Sequence, residues 1–103
     1  MPSFKEIDVD ALPGRPASWR LVDVRQPEEF RSGHVPGAEL VPLATVPLAA
    51  ANWDKSQPIA LICQVGGRSA RAALHLTSMG FVDVMNVRGG TGAYVALGLA
   101  VER

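Results

Sequence analysis

Cysteine is almost absent from this sequence, since Cys63 is the only one in 103 residues. A single cysteine excludes an intramolecular disulfide. This fits a reducing compartment, and the cytoplasm is the expected location, although a lone cysteine equally fits any place where a free thiol is needed. The one thiol is therefore the first candidate for chemistry.

An excess of charge of either sign is also missing, because ten basic residues balance ten acidic ones. Without an overall field, nucleic acid and anionic membrane surfaces are not expected as partners. The longest apolar-looking stretch, residues 41–53, contains Pro42 and Pro47 and is shorter than the ~20 residues that a membrane-spanning helix needs. Residues 1–6 lack the apolar core of a signal peptide, so we do not expect secretion.

No spacing of Cys, His, Asp and Glu is typical of metal binding, and we expect neither a metal nor another cofactor. The composition is that of an ordinary globular protein, with 48% hydrophobic and 19% charged residues. A chain of this length supports one hydrophobic core, since domains usually have roughly 100–150 residues. We therefore expect residues 1–103 to form one domain. A monomer is our expectation for its oligomeric state, although neither length nor composition determines it.

Short apolar runs predict three buried strands. They cover residues 21–24, 58–62 and 81–87. Helical patterns lie after each of them, at residues 27–33, 69–79 and 93–97. Pro27 suits a first helical turn, and Gly33 and Gly80 are placed to end the first two helices. Between Pro42 and Trp53, the pattern allows a turn or two of helix, interrupted or restarted at Pro47.

This alternation of strands and helices predicts an α/β domain with a mainly parallel central sheet flanked by helices. Ligand sites in such folds lie at the carboxyl ends of the strands. Cys63 directly follows the second predicted strand, so it lies where a functional site is expected.

The loop after Cys63 has the composition of an anion-binding turn. Gly66 and Gly67 permit backbone angles that point successive N–H groups inward, and Arg68 adds a positive charge. A helix beginning near Ser69 adds the positive end of its dipole, so the thiolate is favoured over the thiol. The alternatives are that Cys63 is a small buried apolar residue and that the glycines serve only a tight turn.

Asp23 and Arg25, which close the first predicted strand, are expected to be structural. We expect them to form a charge network with Arg31 or with the pair Glu28 and Glu29.

The histidines and tryptophans are not assigned to catalysis. His34 is expected to order its turn, and His75 to lie on the solvated surface of a helix. Trp19 and Trp53 are expected to pack in the core or at its rim.

Three segments together resemble a known family. The first comprises residues 21–25 (LVDVR), 29–30 (EF) and 33–38 (GHVPGA), the second is residues 63–69, and the third is residues 86–90 (NVRGG). In this order and spacing they resemble the single-domain rhodaneses, which are sulfurtransferases, and the similarity runs from about residue 4 to residue 101.

The resemblance implies a rhodanese-like domain with sulfurtransferase activity. Rhodaneses take a sulfane sulfur from a small donor such as thiosulfate onto a cysteine, which becomes a persulfide and passes the sulfur to cyanide or a thiol. By resemblance, Cys63 is the nucleophile, and Arg68 holds the oxyanion of the donor and stabilises the departing sulfite. The residues expected to bind the persulfide through loop N–H groups are Gln64, Val65, Gly66, Gly67 and Ser69. Two half-reactions imply ping-pong kinetics.

Loop length separates this sequence from two other enzyme classes with the same fold. Phosphatases and arsenate reductases have one more residue between cysteine and arginine, and the larger ring accommodates a tetrahedral oxyanion. Four residues separate Cys63 from Arg68, which favours sulfur chemistry.

Two positions depart from the family pattern. Gln64 stands where many members that use thiosulfate have a basic residue, and Tyr94 stands where tryptophan is common. A persulfide, either of low molecular weight or on a protein, is therefore an alternative donor. An alternative from another functional class is a non-catalytic sulfur carrier or binding module, in which Cys63 holds sulfur for a partner protein.

Overall fold

Strands and helices alternate along the chain in a computed structural model that describes residues 3–103. The strands are β1 (Lys5–Asp8), β2 (Arg20–Asp23), β3 (Glu39–Leu40), β4 (Ile59–Ile62) and β5 (Val84–Arg88). The α-helices are α1 (Pro27–Ser32), α2 (Val46–Ala50), α3 (Gly67–Ser78) and α4 (Gly90–Ala96). Two single 3-10 turns, Val9–Ala11 and Leu43–Thr45, complete the described elements.

The five strands form one parallel sheet in the order β1-β5-β4-β2-β3. The central strand β4 is buried at every residue, as its continuous apolar run predicts. Its alternate side chains enter two separate core clusters. Leu61 packs with Leu76 of α3 in one cluster, and Ile62 packs with Tyr94 of α4 in the other. The fold is therefore the predicted α/β domain with a parallel sheet flanked by helices.

Helix α1 confirms the helix predicted after Pro27. The Gln26 side chain accepts the N–H of Glu29, and the Glu29 carboxylate accepts the N–H of Gln26 at 2.9 Å, which forms a capping box. Pro27 occupies the first turn, and Gly33 follows the last residue. The capping box fixes the Glu29 carboxylate at the start of the helix, where it becomes important below.

Helix α3 begins at Gly67, two residues before its predicted start at Ser69. Gly66 is in the left-handed conformation, with φ at +109°, and turns the chain directly from the loop into the helix. Only one of the two glycines therefore needs unusual backbone angles, because Gly67 is already helical.

Two further elements begin three residues away from their predicted starts. β5 begins at Val84 rather than at Phe81, because the N–H groups of Phe81 and Val82 donate to Leu76 and Lys55 instead of to a strand. α4 begins at Gly90 rather than at residue 93, directly after a left-handed glycine. Glycine-rich segments carry little helical signal, which concealed this first turn.

The edge strand β1 was not predicted. Three of its four residues are exposed and charged, so it has no apolar run, and its place depends on backbone pairing with β5. None of the helices in residues 3–103 has the length and apolar character needed to cross a bilayer.

Gly90 allows α4 to approach the cysteine loop, and its substitution tests this contact. A Cβ at Gly90 would lie 2.6 Å from the Gln64 carbonyl carbon, and φ is +62°. We expect Gly90→Ala to lower the free energy of unfolding by about 2–4 kcal/mol, measured by urea denaturation. Gly98→Ala is the matched control, since Gly98 also has a positive φ but has nothing within 4 Å. Equal losses in the two variants would contradict the proposed clash.

Candidate active site

Cys63 lies directly after β4 and is 1% exposed. Its Sγ accepts hydrogen bonds from the backbone N–H groups of Gly66 at 3.1 Å and Ser69 at 3.3 Å. The Ser69 hydroxyl lies 3.3 Å from the same sulfur. The loop therefore wraps around the sulfur atom and points donors at it.

The pKa of Cys63 reflects two opposing effects. Burial raises the pKa of the thiol, whereas hydrogen bonds from the Ser69 hydroxyl and from the N–H groups of Ser69, Gly66 and Val65 lower it. The net pKa lies below the ordinary cysteine value. The loop thus favours the thiolate, as expected from its sequence, and a thiolate is the reactive form of cysteine.

A buried polar chain leads from Ser69 to the sheet edge. The Ser69 hydroxyl donates to Oδ1 of Asn86 at 2.6 Å, and Nδ2 of Asn86 donates to the two carboxylate oxygens of Glu6 at 3.0 and 3.2 Å. The amide of Asn86 holds the Ser69 hydroxyl beside Cys63. The sequence marked Asn86 only as part of a family motif. Nothing in the sequence marked Glu6, because it lies on the unpredicted strand β1.

Backbone contacts with the start of α4 hold the loop from the opposite side. The N–H of Thr91 donates to the Cys63 carbonyl at 2.8 Å, and the N–H of Gly92 donates to the Gln64 carbonyl at 3.0 Å. The closeness of this approach explains why glycine occupies position 90. Two elements distant in sequence therefore fix the path of the cysteine loop.

Arg68 does not contact the cysteine sulfur in this structure. Its Nη1 and Nη2 donate to the two carboxylate oxygens of Glu29 at 2.8 and 2.9 Å. The hydrogen bond from Arg68, followed by the one from Gln26, lowers the pKa of Glu29 to about 2. Hydrogen bonding to Glu29 likewise raises the pKa of Arg68. The guanidinium predicted to hold an oxyanion is thus occupied by a carboxylate of the protein itself.

Asp23 and Arg25 form the buried structural ion pair that was expected, but with other partners. Arg25 donates to Asp23 through Nη2 at 2.9 Å and to the Gly33 carbonyl at 2.8 Å. The predicted partners Arg31, Glu28 and Glu29 were wrong, because Glu29 faces Arg68 and the remaining Arg25 donor, Nη1, reaches Gln64 Oε1 at 3.2 Å.

Gln64 and Val65 form the exposed tip of the loop. The Val65 side chain is 75% exposed, whereas the Gln64 side chain accepts the bond from Arg25. Among the residues predicted for the site, Gly66, Ser69 and Val65 direct their backbone N–H groups at the Cys63 sulfur. The structure directs the side chains of Gln64 and Arg68 elsewhere.

A groove of about 530 Å³ lies beside the start of α3, where Arg68 forms part of its wall. Its apolar lining comes from α2, α3 and the 3-10 turn before α2, and comprises Leu43, Val46, Pro47 and Ala72. Arg71 and His75 form its polar rim, and both residues are exposed. His75 is therefore a surface residue, as predicted, although it also borders the groove.

His34, Trp19 and Trp53 have the structural positions that were expected. His34 bonds through Nδ1 to the Phe30 carbonyl at 2.9 Å and stacks on the Phe30 ring, which orders the turn after α1. Trp19 and Trp53 are partly buried and pack against the two core clusters.

The parallel sheet and the cysteine loop after β4 are the features of a rhodanese-like fold, and comparison with known proteins agrees. Residues 8–97 match the rhodanese-like domain family, so the chain belongs to that family. A protein of Allochromatium vinosum named "Sulfurtransferase" is 33% identical over 99 residues, which cover 93% of this chain and 92% of that protein.

Two further relatives support the same family. Thiosulfate sulfurtransferase GlpE of Pseudoalteromonas translucida is 34% identical over 76 residues, covering 74% of this chain and 72% of that protein. The crystal structure of a rhodanese-like domain protein from Staphylococcus aureus has a TM-score of 0.82 at 32% identity, covering 97% of this chain and 100% of that one.

The Ser69 hydroxyl provides a test of thiolate stabilisation. We expect Ser69→Ala to raise the pKa of Cys63, because the variant loses a hydroxyl whose proton can rotate from Asn86 Oδ1 to the thiolate, and it keeps the backbone donors. The rate of iodoacetamide alkylation at neutral pH should fall several-fold, and its pH profile should move to higher pH. Ser78→Ala, which removes an exposed hydroxyl from the same helix, should leave both unchanged. An unaltered profile in Ser69→Ala would contradict this role.

Proposed function

We propose that this protein is a sulfurtransferase that moves a sulfane sulfur from thiosulfate or a persulfide to cyanide or a thiol through a persulfide on Cys63. One observation carries the proposal. The Cys63 sulfur accepts two backbone N–H groups within a loop that turns directly into α3, so its thiolate is stabilised. The family membership and the sulfurtransferase names of its relatives support the same activity.

The first half-reaction loads sulfur onto the protein. A lone pair of the Cys63 thiolate forms an S–S bond to the sulfane sulfur, and the S–S bond of the donor breaks. The electron pair of the broken bond leaves on sulfite when the donor is thiosulfate, or on a thiolate when the donor is a persulfide. The loop N–H groups then face the outer sulfur and stabilise its negative charge.

The second half-reaction returns Cys63 to its starting form. Cyanide or an acceptor thiolate attacks the outer sulfur, the S–S bond to Cys63 breaks, and thiocyanate or a new persulfide leaves. The same loop N–H groups that stabilised the outer sulfur then stabilise the regenerated Cys63 thiolate. We also propose that the protein acts as a monomer in the cytoplasm and that its sulfur donors and acceptors are small molecules.

Intact-mass measurement tests the proposed intermediate. Incubation with thiosulfate or with glutathione persulfide should add about 32 Da to the protein, the mass of one sulfur, and cyanide should remove it. Cys63→Ser should gain no sulfur, since the nucleophile is absent. A sulfur adduct that persists in Cys63→Ser, or the lack of any adduct in the unmodified protein, would contradict the proposal.

A sulfur carrier that serves one protein partner is the second candidate. The burial of Cys63 under a loop whose tip exposes Val65 favours it, because an apolar tip offers a contact to a partner surface. Turnover separates the two candidates. A carrier forms the Cys63 persulfide but turns over slowly with cyanide and small thiols, whereas a sulfurtransferase completes repeated cycles with them.

A further inference from the structure

The positive charges at the cysteine loop are already neutralised by the protein. Arg68 makes two hydrogen bonds to Glu29, and both side chains are about one-third exposed. The carboxylate is also held by the N–H of Gln26, so three donors fix its position. These donors lower the pKa of Glu29 to about 2, so the carboxylate is ionised at neutral pH.

The second arginine at the loop is neutralised in the same way. Arg25 is 2% exposed and pairs with the fully buried Asp23 at 2.9 Å. Its remaining contact with the loop is the bond from Nη1 to the Gln64 amide oxygen, which carries no charge. Each of these two arginines is thus paired with a carboxylate, and the donors directed at the sulfur are neutral N–H groups.

This arrangement of charges favours some sulfur donors over others. Thiosulfate has two negative charges close to the sulfane sulfur, so it must displace Glu29 from Arg68 or react beside the Glu29 carboxylate without a cation at the loop, since Arg71 lies on the rim of the groove. In an organic persulfide, by contrast, the leaving group is a single thiolate, and any carboxylates are several bonds away. The neutral N–H groups of the loop are sufficient for a thiolate leaving group.

The groove beside Arg68 provides room for an organic group. Its apolar walls suit the carbon skeleton of a thiol, and the exposed Arg71 on its rim suits a carboxylate at a distance from the sulfur. Thiosulfate has no carbon atoms and gains nothing from apolar walls.

We infer that an organic persulfide, rather than thiosulfate, is the preferred donor, and that Glu29 determines this specificity by occupying Arg68. The inference rests on the proposed function, because it concerns the same Cys63 persulfide. The transfer step is balanced. The Cys63 thiolate attacks the outer sulfur of R–S–SH, the donor S–S bond breaks, the proton stays on the transferred sulfur, and R–S⁻ leaves.

Glu29→Gln is the informative variant, because glutamine keeps the oxygen that accepts the Gln26 N–H and so preserves the capping box. Glu28→Gln is the matched control, since it removes the same charge from the neighbouring exposed residue. The measurement is the second-order rate constant of Cys63 persulfide formation, followed by intact mass. Far-ultraviolet circular dichroism checks that each variant is folded.

Comparing three sulfur donors separates the effect of the donor's charge from that of its shape. Thiosulfate has two negative charges, and methanethiosulfonate is a similar oxyanion with one. Glutathione persulfide has its charges away from the sulfane sulfur. In the unmodified protein, we expect glutathione persulfide to react at least about tenfold faster than thiosulfate.

In Glu29→Gln, the rate with thiosulfate should rise by about tenfold, the rate with methanethiosulfonate should rise less, and the rate with glutathione persulfide should change by less than about threefold. Faster reaction of the unmodified protein with thiosulfate would overturn the inference even if the variant failed to fold. Equal effects of Glu29→Gln on all three donors would also overturn it. The absence of a persulfide with every donor would instead refute the proposed function itself.

Discussion

The hydrogen bonds from the loop to the Cys63 sulfur are the interactions on which the site depends. A buried sulfur at the end of a covered strand would ordinarily remain a neutral thiol, because burial disfavours its charged form. Here Gly66 turns the backbone so that its own N–H and that of Ser69 point at the sulfur. Gly90 then allows α4 to pack against the loop and keep it in this shape.

The second organising feature is the pairing of charges around that loop. Asp23 neutralises Arg25 in the core, and Glu29 neutralises Arg68 at the edge of the groove. Stabilisation of the sulfur therefore comes from dipoles that are already oriented. Such dipoles need no reorganisation when charge moves from Cys63 to an outer sulfur.

Much of the fold and part of the site could be predicted from sequence, because their signals are local. The apolar run of β4 located the central strand, and the residues around Gly66 located the loop and the start of α3. The contacts that determine the environment of the site are not local. Glu29 meets Arg68 across 39 positions, and Glu6 meets Asn86 across 80. No short motif encodes such partners, so Glu29 was assigned only to its own helix and to the Arg25 network.

A crystal structure of the persulfidated protein would test the central claim most directly. The account predicts a second sulfur atom bonded to Cys63 Sγ, enclosed by the loop and within hydrogen-bonding distance of its backbone N–H groups. A second sulfur directed away from those groups, or a loop that opens to release it, would contradict the claim that this loop was built to hold a charged sulfur.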